Sequence, residues 1–255
     1  MLLLRSLLFH AVMVISILVY APLVMLLFWL PYRTRYRFAT LWGYFIIAAA
    51  HLLCGIRYRV EGRENLPDGA IIILSKHQST WETFAYPRLF HFPQVWVLKR
   101  ELMWIPFFGW GLATLAPIAI NRGAGRQAVR QIIDQGRKRL ESGKSVVLFP
   151  EGTRVPSGYR RRYGLGGGVL AAETGYPVVP VAHNAGLVWP RRGFVLHPGT
   201  VTVAVGPVID PAGKSAEEIR DAAEQWIETT MMRLENRQEM APLLLSRHPG
   251  RSTGK

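Results

Sequence analysis

The sequence predicts an α/β domain, with a mixed and mostly parallel sheet flanked by helices, preceded by an N-terminal membrane-embedded helical segment. Three observations carry that reading. Short apolar, β-rich runs recur from Ala70 onward, with helical patterns between several of them. Ahead of them lie two apolar stretches, Ser6–Leu30 and Phe38–Cys54, that hold no Asp, Glu, Lys or Arg. The chain is also basic yet apolar: 31 Lys and Arg against 17 Asp and Glu give +14, with 49% hydrophobic residues and a mean hydropathy of +0.13. Such a charge suits nucleic acid, an anionic membrane surface or a phosphorylated substrate. The hydrophobic fraction favours a membrane phospholipid surface and argues against nucleic acid.

Taken in order, Ser6–Leu30 is 25 residues long. At about 1.5 Å per residue it reaches about 37 Å, enough for a hydrocarbon core of about 30 Å. It is too long for a signal-peptide core, and no small-residue cleavage site follows. Tyr32-Arg33-Thr34-Arg35-Tyr36-Arg37 is a basic, aromatic belt suited to a headgroup layer. Phe38–Cys54, at 17 residues, is at the short limit for a span or forms half of a hairpin in one leaflet. Basic flanks stay cytoplasmic. Two arrangements satisfy that rule: one crossing plus an interfacial helix, or two helices dipping into the cytoplasmic leaflet. Either puts the domain on the cytoplasmic face of the inner (plasma) membrane. Residues 1–55 are thus an anchor, 56–240 the α/β domain and 241–255 a disordered basic tail.

Within the domain the expected strands are Ala70–Leu74, Val95–Leu98, Pro117–Ile120, Ser145–Phe149, Val178–Ala182 and Val201–Val205. Arg126–Ser142 reads as an amphipathic helix closed by Gly143, and Ser215–Glu239 as another. Cys54 is the lone cysteine, set among apolar residues, so it reads as a small buried hydrophobe. No Cys/His cluster has zinc spacing, and neither metal nor cofactor is expected.

Chemistry concentrates at strand ends. Ser75-Lys76-His77-Gln78-Ser79-Thr80-Trp81-Glu82 follows the first strand, and Ser79 with Glu82 has the spacing of a capping box. His77 then sits in the strand-to-helix turn, and its ring can swing back over the helix start to meet Glu82, which builds a general base. A turn histidine without a task and a purely capping glutamate remain open on these residues alone. Phe149-Pro150-Glu151-Gly152-Thr153-Arg154 turns at the edge where α/β folds keep ligands. Gly152 allows close backbone approach, and Arg154 offers a fork for phosphate oxygens. An ordinary turn with a solvated arginine is the plainer alternative. Arg122 after Ile118–Ile120, and Lys99 and Arg100 after Val95–Leu98, repeat the pattern of cations at strand ends.

These blocks, His77-x4-Glu82, Ile118–Gly123, Phe149–Arg154 and Val178–Val181, resemble in order the four motifs of the glycerolipid acyltransferases, and within them the 1-acyl-glycerol-3-phosphate acyltransferases. Lys99-x-Glu101-Leu102 with Pro106 and Gly109 also fits, and the resemblance spans roughly Val60 to Val208. It implies that His77 is the base, that Glu82 orients it, and that Arg122 and Arg154 hold the acceptor's phosphate beside Lys99. It further implies that Glu151, Gly152 and Thr153 belong to the acceptor site. The implied substrates are lysophosphatidic acid and an acyl-CoA or acyl carrier protein thioester. Another lysolipid or amino-lipid acceptor, or a non-catalytic membrane protein of the same fold, is the alternative. Two departures stand out: Glu82 where the family has Asp, and the run Gly164-Leu165-Gly166-Gly167-Gly168, to which the sequence assigns no role.

Other chemistries fail. There is no G-x-S-x-G elbow for a covalent acyl-enzyme. Gly143-Lys144-Ser145 ends like a P-loop, but Lys138 occupies the first glycine position and the order is helix then strand.

Overall fold

The apolar runs in the middle of the chain are covered on both faces, and this sets the layering. The computed structural model describes residues 1–90 and 92–244. In order these form α1 (Leu2–Leu26), α2 (Tyr32–Cys54), β1 (Ile56–Glu61), β2 (Ile72–Ser75), α3 (Trp81–Leu89), β3 (Gln94–Lys99) and α4 (Phe108–Ala113). There follow β4 (Ile118–Ile120), α5 (Arg126–Glu141), β5 (Ser145–Leu148), α6 (Gly166–Thr174), β6 (Val178–His183), α7 (Ala185–Val188), β7 (Gly199–Val205) and α8 (Ala216–Leu234). The sheet runs β1-β7-β6-β2-β5-β3-β4, and every pairing is parallel except β6 with β7. This is the mixed, mostly parallel sheet expected.

Side chains alternate across a strand, so Ile71 and Ile73 join one core with Phe9, Ile46, Trp81 and Ala85. Ile72 and Leu74 join the other, with Ile132, Leu170 and Ile219. A strand buried on both faces must be apolar at every position, which is why Ile71–Leu74 reads as an unbroken run. Each such side chain contributes about 1.5–3 kcal/mol on burial. β1 was not anticipated. Its residues alternate, with Arg57 exposed, and it lies at the sheet edge, so it gives no apolar run.

The glycine run has a packing role. A Cβ on Gly167 would strike Leu74 Cδ2, and one on Gly168 would strike the Ala216 carbonyl. These glycines let α6 sit directly on β2 and against the start of α8. Gly136 on α5 does the same toward Leu170, where a Cβ would stand 2.8 Å from Cδ1. The inner stripe of α5 is accordingly Ala128, Ile132, Gly136 and Leu140, four residues apart each time.

α1 and α2, 25 and 23 residues, are each long and apolar enough to cross a membrane. Both pack on the domain. Phe9 meets Trp189 edge-on at 5.0 Å, Leu196 N–H donates to Ser6 Oγ at 2.9 Å, and Tyr32 OH donates to the Leu115 carbonyl at 3.4 Å. Leu4, Leu8, Ile15, Val19 and Trp29 stay exposed on the other side. Arg33, Arg35 and Arg37 lie inside the first turns of α2 rather than in a separate belt. At the other end of the chain, the start of the expected tail is held. Arg160 N–H donates to Pro242 O at 3.1 Å, and Leu244 N–H to Arg160 O at 2.7 Å. Residues 245–255, the rest of that tail, lie outside the described residues.

Candidate active site

β2 ends in the middle of the sheet, and the chain must leave it through a turn buried at every position from Ser75 to Ser79. Buried backbone N–H groups need partners, and here Glu82 supplies them. Its Oε1 accepts from Gln78 N–H at 3.1 Å, from Ser79 N–H at 2.9 Å and meets His77 Nδ1 at 2.8 Å. The expected capping box is therefore half made. The acid reaches back, but Ser79 Oγ accepts from Trp81 N–H, and Thr80 is the N-cap residue. One oxygen of Glu82 thus serves all three groups. The other oxygen, Oε2, is buried without a hydrogen-bond partner among the described residues.

This geometry decides the tautomer. An ionised Glu82 keeps the proton on Nδ1 and leaves Nε2 with a lone pair. The ring lies over Phe149, centroids 3.8 Å apart and 12° from parallel, so its plane is set from below. Burial holds the His77 pKa below the ordinary value. Glu82 pulls the other way, and the charge of Arg154 adds to the lowering. For Glu82, burial alone would push the pKa up. The charge on His183, then the His77 contact and the Ser79 N–H, outweigh it and hold the carboxyl below its usual range. His183 is itself lowered by burial. The hydrogen bonds from His77, Gln78 and Ser79, more than a histidine charge, therefore hold Glu82 ionised.

Beneath the turn lies a charge cluster that the sequence reading missed. Lys76, 1% exposed, points its Nζ between Glu151 Oε1 at 2.7 Å and Glu228 Oε1 at 2.8 Å. Glu151 Oε2 accepts from the His77 N–H at 3.0 Å, and Tyr163 OH donates to Glu228 Oε1 at 3.1 Å. Two carboxylates face one ammonium, so one negative charge is in excess. Burial, with Glu228 adding, pushes Glu151 up to about 7 against the pull of Lys76. Lys76 stays charged because the two acids outweigh its burial. His183 Nε2 donates to the Lys76 carbonyl at 2.9 Å and so also clamps this turn. A lysine ending an apolar strand, and a glutamate beside the apolar stripe Ile219, Ala223, Ile227 and Met231 of α8, were the available signals.

The remaining expected residues distribute as follows. The sequence put Glu151 at the acceptor, but both its oxygens are engaged inward, so it braces the backbone of His77. Gly152 adopts φ +69°, the left-handed conformation that glycine favours. Thr153 Oγ1 accepts from Arg191 Nη2 at 3.3 Å. Arg154 is partly buried, and its Nε is buried without a partner among the described residues. Lys99 is exposed at the end of β3, two strands from β2, or about 10 Å across the sheet. Arg122 follows β4, a third strand away; its side chain lies outside the described residues. The structure thus brings His77, Glu82, Glu151 and Arg154 together and leaves Lys99 farther along the same edge. Among the described residues no group of three His, Cys, Asp or Glu forms a metal site.

A family model described as Acyltransferase matches residues 57–184. A 1-acyl-sn-glycerol-3-phosphate acyltransferase of Pseudomonas aeruginosa is 47% identical over 206 residues, covering 79% of this chain and 80% of that protein. One from Limnanthes alba is 32% identical over 201 residues, 78% of this chain and 70% of its own. The crystal structure of the 1-acyl-sn-glycerophosphate acyltransferase PlsC from Thermotoga maritima superposes with a TM-score of 0.75 at 26% identity, covering 93% of this chain and 97% of that one.

Proposed function

Since this chain belongs to the acyltransferase family, we propose that it moves an acyl chain from acyl-CoA or acyl carrier protein to the free hydroxyl of 1-acyl-glycerol-3-phosphate, giving phosphatidic acid, with His77 as general base. The observation that carries this reading is the 2.8 Å contact of His77 Nδ1 with Glu82, beside Arg154. Nε2 takes the proton of the acceptor hydroxyl as its oxygen attacks the thioester carbonyl. Glu82 stabilises the imidazolium that forms, as an acid does behind a catalytic histidine. The tetrahedral intermediate collapses, the C–S bond breaks, and the imidazolium returns its proton to the departing thiolate. The lowered His77 pKa favours this role, because the ring is unprotonated at neutral pH. Arg154, with Lys99 and Arg122 farther along the sheet edge, holds the phosphate and thereby positions the hydroxyl.

The same reading sets the domain on the cytoplasmic face of the inner membrane, anchored by α1 and α2, where a lysolipid reaches the site from the bilayer. The arginines at the start of α2 support that side. The test is thiol release from an acyl-CoA with a panel of lysolipid acceptors. Wild type should prefer 1-acyl-glycerol-3-phosphate, and His77→Ala should abolish turnover while keeping its circular dichroism. Unchanged turnover in His77→Ala would remove the base assignment, and preference for a neutral lysolipid would remove the acceptor.

A further inference from the structure

A cavity of about 300 Å³ opens beside the 149–154 turn, lined by Ser157, Gly186, Pro190, Arg191 and Arg192 among others. Two of its walls belong to the site already described. Arg191 donates to Thr153 Oγ1 at 3.3 Å, next to Arg154. Gly186 N–H donates to Gln78 Oε1 at 3.4 Å, and Gln78 follows the base in sequence. The space depends on Gly186, since a Cβ there would stand 2.5 Å from Ser157 Oγ and 3.0 Å from Gln78 Cβ. Among the described residues Ser157 Oγ is buried without a hydrogen-bond partner, as is Nε of Arg154, the residue after Thr153.

The charges around it are unbalanced. Burial lowers the Arg191 pKa, and the like charges of Arg192, Arg154 and Arg161 lower it further, so these four guanidiniums share one neighbourhood. Among the described residues none of the four has a carboxylate within ion-pair distance. Four guanidiniums without an acid between them, Arg192 exposed and the other three half-buried, gain most from a multivalent anion, and arginine's fork matches phosphate oxygens. The volume is at the low end for small-ligand sites, enough for a phosphate and the atoms esterified to it.

We propose that Arg191 and Arg192, with Ser157 Oγ, form a phosphate subsite beside the His77 turn that receives a phosphate group of one of the two substrates. The proposal rests on the phosphate-bearing substrates of the proposed function. The phosphate comes either from the acceptor's phosphomonoester or from the coenzyme A part of the donor.

The test uses the full chain in mixed micelles, with Arg191→Gln, Arg192→Gln and the double variant, each checked for wild-type circular dichroism. Kinetics are run with acyl-CoA and with an S-acyl pantetheine thioester, which lacks phosphate. Losing a charge-assisted contact should raise one KM by about 10- to 100-fold. A rise in the acceptor's KM with both donors assigns the acceptor's phosphate. A rise for acyl-CoA alone, absent with the pantetheine thioester, assigns the donor's. Titration calorimetry with inorganic phosphate and with coenzyme A reads the subsite without turnover, so it still reports if the proposed acceptor fails. The proposal is overturned if the double variant keeps both KM values and the affinity for both probes within about twofold of wild type.

Discussion

Replacing Glu82 by glutamine tests the centre of the site, because the structure fixes which way the amide must turn. Gln78 and Ser79 both present N–H groups to Oε1, at 3.1 and 2.9 Å. The amide oxygen therefore occupies the Oε1 position, and the NH2 group takes the place of Oε2. Nδ1–H keeps an acceptor, and the tautomer stays correct. What is lost is charge. An ion pair about 4 Å between charge centres is worth about 4 kcal/mol at an effective dielectric of about 20. If about half of the imidazolium charge has developed in the transition state, that term contributes about 2 kcal/mol. The weaker neutral hydrogen bond adds about 1 kcal/mol. A loss of about 3 kcal/mol is a drop of about 150-fold in kcat. The assay is the initial rate of thiol release from acyl-CoA at saturating acceptor. A drop below about fivefold would show that the carboxylate charge is not used. A drop near 10⁴-fold, the scale of a misassigned tautomer, would show that the two backbone N–H groups do not hold the amide in place.

Two further outcomes are expected. Because burial lowers the His77 pKa, kcat/KM should rise with pH through a limb centred below about 6.5 and stay level through neutral pH; a limb above pH 7 would contradict the buried environment. Lys76→Met leaves Glu151 and Glu228 buried without their cation and should cost about 3–5 kcal/mol in denaturant unfolding. The folded-state pKa of Glu151 is raised to about 7 and rises further once the ammonium is gone. A carboxyl with a raised folded pKa contributes stability at low pH that is lost as pH rises, so moving from about pH 8 to about pH 5.5 should restore part of the loss. Equal losses at both pH values would place the damage elsewhere.

Local signals determined a good deal. The two-faced strands, the amphipathic α5 and α8, and the two apolar N-terminal helices were legible because burial on one or both faces imposes a period or a run that neighbours in sequence must share. The pairing of residues 77 and 82 was legible for the same reason, since five residues suffice to bring the groups together across one turn. β1 was not, because an edge strand half in solvent needs no apolar run. Only the tertiary structure decided the rest. It turned Glu151 inward onto Lys76, 75 residues away along the chain, an ammonium it shares with Glu228. It gave the glycines of α6 their purpose, which exists only where Leu74 and Ala216 press against them. It also set Arg191 on Thr153, a meeting made by the order of strands in the sheet and invisible to any local pattern.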